Sequence, residues 1–135
     1  MNNLFNVRDF FVMKRDLKVL ELILTQFEND NSAYLLENPQ TFVEGSLSEA
    51  DDIICGHILL ALDAQLIGGI EVRKLNGSWR RTETFPRLTM QGHDFLASLR
   101  SKTIMSEATK IAKELCIPIS VELLKEAAKK LIAAD

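Results

Sequence analysis

A chain of 135 residues, 47% of them apolar and 26% charged, is long enough to bury a core of its own and too apolar to stay disordered. The formal charge of −3 hides a polarity: Glu28, Asp30, Glu37, Glu44, Glu49, Asp51, Asp52 and Asp63 are joined by no Lys or Arg up to Leu66, whereas cations dominate from Ile67 to Arg100. No apolar run reaches membrane-spanning length, and the start shows no basic leader or small-residue cleavage site. The expected setting is therefore cytoplasmic, where Cys55 and Cys116 read as small buried hydrophobes.

In chain order, residues 1–12 form an apolar extension (Leu4, Phe5, Val7, Phe10, Phe11, Val12), expected to pack as a short strand or turn on its own core or on a partner chain. Met13 is a plausible second start, which would make that extension dispensable. A first helix is expected from Asp16 to Phe27, with Leu17, Leu20, Ile23, Leu24 and Phe27 on one face. Val19 and Leu22 fall off that stripe and predict contact with a second element. Asn29-Asp30-Asn31-Ser32 stops it. From Ala33 to Gly45 the pattern weakens: Tyr34-Leu35-Leu36 reads as a short turn, Pro39 as a breaker, and Thr41-Phe42-Val43-Glu44 as a short strand.

Ser48 is expected to cap a central helix, with Asp51 completing an acidic capping box. On its wheel Ile54, Ile58, Ala61, Leu62 and Leu66 share a face, and Glu49, Asp52, Gly56 and Asp63 lie opposite. Gly68-Gly69 is read as its stop. The Ile70, Val72 alternation and the Thr84 to Thr89 segment then predict a hairpin turning at Asn76-Gly77. Trp79 near the tip is preferred as a lid on the core edge over an exposed aromatic.

Thr89 should cap a helix from Met90 to Arg100 that buries Met90, Phe95, Leu96 and Leu99, with Gly92 marking a close backbone approach. Ile104, Met105, Ala108, Ile111, Ala112 and Leu115 define a further amphipathic helix closed by Pro118. Ser120 caps the last, with Val121, Leu124, Ala128, Leu131 and Ile132 near heptad spacing. This C-terminal pair, 101–135, must lay its apolar side on the body or on a second copy.

The order is that of a winged helix. The expected fold class is α+β, mainly helical: a winged-helix-like domain over 13–100 (helix, short strand, helix, β-hairpin wing, helix) with a C-terminal helical hairpin. Three stretches carry a resemblance: Met13-Lys14-Arg15-Asp16 before the first helix, His57-Ile58-Leu59-Leu60 in the central one, and Arg87-Leu88-Thr89-Met90-Gln91-Gly92-His93-Asp94-Phe95-Leu96. Together, over about Met13 to Lys130, they resemble the domain of unknown function 2513 family. That resemblance implies a winged-helix-like architecture and a phage or prophage setting, and it brings no activity, catalytic residue or ligand. The chain departs from the family in its extension and at Asp63-Ala64-Gln65-Leu66, where an acidic-Ala-Gly-Leu ending is more usual.

Convergent chemistry is sparse. Cys55 and His57, two apart on a helix, point about 200° from one another, and His93-Asp94 likewise diverge. His57 and His93 lack placed carboxylate or cysteine partners, so no metal site and no catalytic residue is assigned. Structural roles are expected, His57 flanking the core and His93 hydrogen-bonding near its helix start. No phosphate loop or nucleophile elbow occurs, so neither cofactor nor small-molecule ligand is expected, and no enzyme.

Two functions remain. In the first, a regulatory or accessory factor touches DNA or RNA through the basic wing (Arg73, Lys74, Arg80, Arg81, Arg87), because the acids on the central helix repel phosphate and disfavour standard docking. In the second, the frame is a protein-interaction module, self-associating through the C-terminal helices (Leu124, Leu131) as a possible homodimer or docking a host protein through Glu49, Asp52 and Asp63.

Overall fold

The computed structural model describes residues 16–134, with side chains to Leu131, so the expected N-terminal extension, Met13-Lys14-Arg15 and the side chain of Ile132 lie outside the described residues. Helix α1 (Leu17–Glu28) begins where the Asp16 carboxylate accepts the Lys18 and Val19 backbone N–H groups, two of the donors a helix start leaves orphaned. Its 3.6-residue stripe buries Leu20, Ile23, Leu24 and Phe27, while Val19 and Leu22 pack half-buried against the same core. Asp30, at φ 58°, ends it: the Asn31 N–H reaches back to the Gln26 carbonyl at 2.8 Å, a left-handed C-terminal cap made without glycine.

The next stretch departs from expectation. Ser32–Glu37 forms α2 and Pro39–Phe42 forms α3, so the short strand read at Thr41-Phe42 is absent. Pro39 starts a helix rather than breaking one, because it occupies a first-turn position whose N–H would be unpaired in any case. The two pieces stand where a winged helix needs its second helix.

Helix α4 (Leu47–Asp63) starts two residues earlier than predicted. Ser46, not Ser48, is its cap: its hydroxyl accepts the Glu49 N–H at 3.2 Å and the Glu49 carboxylate takes the Ser46 N–H at 2.8 Å. Both serines precede an acid by three residues, so the local motif did not distinguish them. The helix ends through Gln65 at φ 61°, with the Leu66 N–H on the Ala61 carbonyl at 2.8 Å. Gly68 and Gly69 belong instead to β1 (Ile67–Leu75).

Strand β1 pairs antiparallel with β2 (Ser78–Leu88) from Leu75↔Ser78 outward. Asn76 and Gly77, at φ 51° and 80°, give the type I′ geometry that matches strand twist. The ladder is irregular between Gly68 and Ile70, where β2 bulges through Thr84, Phe85 and Pro86. Gly69 (φ +76°) is required there, since a Cβ would meet the Phe85 carbonyl oxygen at 1.8 Å.

Thr89 caps α5 (Met90–Arg100), accepting from the Gly92 N–H and donating to the Gln65 carbonyl at 2.6 Å. The close approach at Gly92 is real: an added Cβ would lie 1.9 Å from the Leu66 oxygen. Phe95 and Leu96 are buried as expected, but Met90 is 83% exposed, because Gly92 takes the inward side of the first turn. Helix α6 (Lys102–Leu115) closes at Cys116 (φ 55°), two residues before Pro118; Leu115 and Cys116 are exposed, against prediction. In α7 (Val121–Ala134) the Ser120 hydroxyl accepts the Leu123 N–H, and Leu123, Leu124 and Ala127 enter the core beside α5 and α6. The C-terminal pair therefore lies on the body of its own chain, and Leu124, 1% exposed, is not available to a second copy.

The result is a mainly helical, winged-helix-like arrangement: α1 against α4 and α5, the hairpin between α4 and α5, and α6 with α7 laid over α5.

Candidate nucleic-acid interface

Which way each wing cation points follows from register. The ladder sets Ile70 opposite Glu83, Val72 opposite Arg81, Arg73 opposite Arg80, and Lys74 opposite Trp79. Directly opposed residues share a face and successive ones alternate. Ile70 and Val72 are buried, so Lys74, Trp79, Arg81 and Glu83 turn toward the body with them, and Glu71, Arg73, Arg80 and Thr82 face outward.

The inward cations are neutralised at home. Lys74 Nζ lies 2.9 Å from Asp52 Oδ1, the same oxygen that accepts the Trp79 Nε1–H at 2.9 Å, and the ammonium sits 5.8 Å from the Trp79 ring centre. The indole packs half-buried against the core, the lid placement. Arg81 pairs with Glu83 at 2.7 Å and with Glu37 of α2 at 3.3 Å. These are largely exposed pairs, each worth about 0.2–1 kcal/mol and screened by salt. Glu37 was not singled out by sequence reasoning, although counting back from the Asn76-Gly77 turn already puts Arg81 on the inner face.

Arg73 and Arg80 remain outward, side by side, with no acid partner among the described residues. Arg87 stands apart at the wing base opposite Gly68, donating to the Phe85 carbonyl at 3.4 Å and lying 5.9 Å from its ring. Arg100 reaches none of these; it ties α5 to α1 through Glu28 at 3.1 Å and Thr25 at 2.9 Å. The five wing cations thus form no single patch.

The acids of α4 are divided as well. Glu49 is held by the capping box, whose Ser46 backbone N–H, and then hydroxyl, keep its carboxyl below the usual range. Asp52 is held by the wing, and Asp63 stays exposed. Half-buried Asp51 has its carboxyl raised, first by burial and then by the charge of Asp52. Gly56, read as outward-facing, is buried. The hairpin tip thus crosses the N-terminal half of the face that standard docking would place in the major groove. Leu131 of α7 is half-buried, unlike fully buried Leu124.

Cys55 and His57 are both buried in α4. Burial, then the charge of Asp51, pushes the Cys55 thiol up to about 12, far from a thiolate nucleophile. His57 is 2% exposed, and its Nε2 accepts the Asp16 backbone N–H at 3.0 Å. Its other nitrogen, 2.7 Å from the Ile53 carbonyl, must therefore carry the proton. His93 is exposed on α5. Among the described residues no three His, Cys, Asp or Glu side chains are grouped to hold a metal, and no helix is long and apolar enough to cross a membrane.

Residues 14–117 match a family described as hypothetical protein (DUF2513). No curated protein and no solved structure matches the chain.

Proposed function

The chain belongs to the DUF2513 family, and from that premise we propose that it is a non-enzymatic regulatory or accessory factor that touches nucleic-acid phosphate with the outer face of its wing. The observation that carries this reading is the Arg73↔Arg80 pair. Like charges directly opposite on a hairpin destabilise it, and these two have no acid partner among the described residues. A backbone phosphate would relieve both at once. Arg87 adds a third contact at the wing base, while α4 stays out of the groove because its outward end carries acids and the wing's own tip.

Three phosphate contacts make a weak, salt-steep binder. A slope of about −0.9 per contact predicts a loss of about 40-fold in affinity between 50 and 200 mM salt. Fluorescence-anisotropy titrations of duplex and single-stranded probes measure this directly. Arg73→Ala with Arg80→Ala should flatten the slope by about two units. A parent protein with no binding above background discards the reading.

A second reading is favoured by a different observation: Phe85, beside Arg87 at the wing base, and Met90, at the start of the helix that follows, are 71% and 83% exposed. Aromatic, Met and Arg side chains are those enriched in protein interfaces. In this reading the protein is an interaction module, and self-association runs through the wing base. Light scattering tests it: a dimer that Phe85→Ser converts to monomer supports it, and a monomer for the parent removes it.

A further inference from the structure

We propose that the wing tip, residues 73–81, is a latch that regulates the surface just described, closing Lys74 and Arg81 onto Asp52 and Glu37 and yielding them to a polyanion when it opens. The inference rests on the phosphate-binding reading of Arg73 and Arg80 and adds a control to it. Three contacts hold the tip to the body: Lys74 to Asp52 at 2.9 Å, Trp79 Nε1 to the same carboxylate at 2.9 Å, and Arg81 to Glu37 at 3.3 Å. All three bridge from the hairpin to a different helix, α4 or α2, and none is deeply buried. The side chains of Lys74 and Asp52 are each 43% exposed, and that of Glu37 is 65% exposed. Such contacts exchange readily for water and salt.

The hinge is fixed by packing. Ile70 and Val72, 4% and 6% exposed, anchor the base of the hairpin in the core, whereas Leu75 beyond them is 44% exposed. Opening is therefore confined to the tip and does not unfold the body. When it opens, the Lys74 ammonium exchanges Asp52 for a phosphate oxygen and the Arg81 Nη2 group exchanges Glu37 for one, while Arg81 Nε stays on Glu83 of its own strand at 2.7 Å; the released Asp52 and Glu37 are taken up by water. Two further cations then become available on the face of the hairpin opposite Arg73 and Arg80, so that a polyanion meeting the tip finds charge on both sides of it.

Trp79 is the only tryptophan in the chain and reports the latch without a label. In the parent, acrylamide quenching of Trp79 should rise with NaCl at concentrations that leave the circular dichroism unchanged. Asp52→Ala with Glu37→Gln should show twofold or greater quenching already at low salt. That variant should also bind a duplex probe at least fivefold more tightly than Glu122→Gln with Glu126→Gln, which changes charge equally on exposed positions of α7. Equal tightening in the α7 variant would reduce the gain to net charge and overturn the latch. Quenching that is the same in parent and variant at every salt overturns it too, and leaves the phosphate reading standing if the parent still binds. Quenching that rises without binding by any variant overturns the phosphate reading and the regulation built on it, leaving only a mobile tip.

Discussion

His57 joins two helices through one ring. Its Nδ1–H donates to Ile53 within α4, and its Nε2 accepts the N–H of Asp16, the residue that caps α1. Burial holds the imidazole below its ordinary titration range, against the weaker opposing pull of the Ile53 carbonyl and the Asp16 carboxylate. Protonation would also give Nε2 a hydrogen where it now accepts one. The unfolded ring titrates at about 6.5, so as pH falls below that value the unfolded chain binds the proton first. The stability His57 contributes is thus complete above about 6.5, declines as pH falls toward the folded value, and levels off below it. Urea unfolding at about pH 7 and about pH 5.5 should show this decline in the parent. It should be largely missing in His57→Gln, which keeps an acceptor but has no proton to gain; equal declines in both would exclude His57 as the source.

Helix ends were set by signals weaker than those of helix faces. Glycine is the usual residue for a left-handed C-terminal cap, yet Asp30, Gln65 and Cys116 fill that role here. A side chain in that conformation costs about 1–2 kcal/mol, less what glycine gives up in unfolded-chain entropy. Gln65→Gly should therefore stabilise the fold by about 1 kcal/mol, read as a higher denaturant midpoint at unchanged slope. A lower midpoint would mean that Gln65 makes compensating contacts. Gly68 and Gly69, which look like a helix stop in one dimension, lie instead in β1, and Gly69 is needed where that strand passes the bulge of β2.

The described residues are held by a core that runs from α1 through the hairpin base to α7. Within the C-terminal pair, Leu123, Leu124 and Ala127 join that core. Leu124→Ala should cost about 2–5 kcal/mol by leaving a cavity, with no change in mass by light scattering at concentrations where the protein stays folded. A change of mass with stability intact would return Leu124 to an interface. Electrostatics follow the same economy. Glu28, Glu37 and Asp52 of the acidic segment each take a cation from the basic one, so the charge polarity of the sequence is partly cancelled by folding.

The sequence alone determined the helices with strong periodicity, the Thr89 and Ser120 caps and the Asn76-Gly77 turn, because each depends on residues within one or two turns of each other. It also carried the alternation that puts Lys74 on the side of Ile70 and Val72. What waited for the tertiary structure was what lies across from those side chains: Asp52 is 22 residues from Lys74 and Glu37 is 44 from Arg81. No local pattern encodes such distant pairings. They arise only when the core fixes how α2, α4 and the hairpin sit together, and they decide which wing cations are free to meet a partner and which already have one.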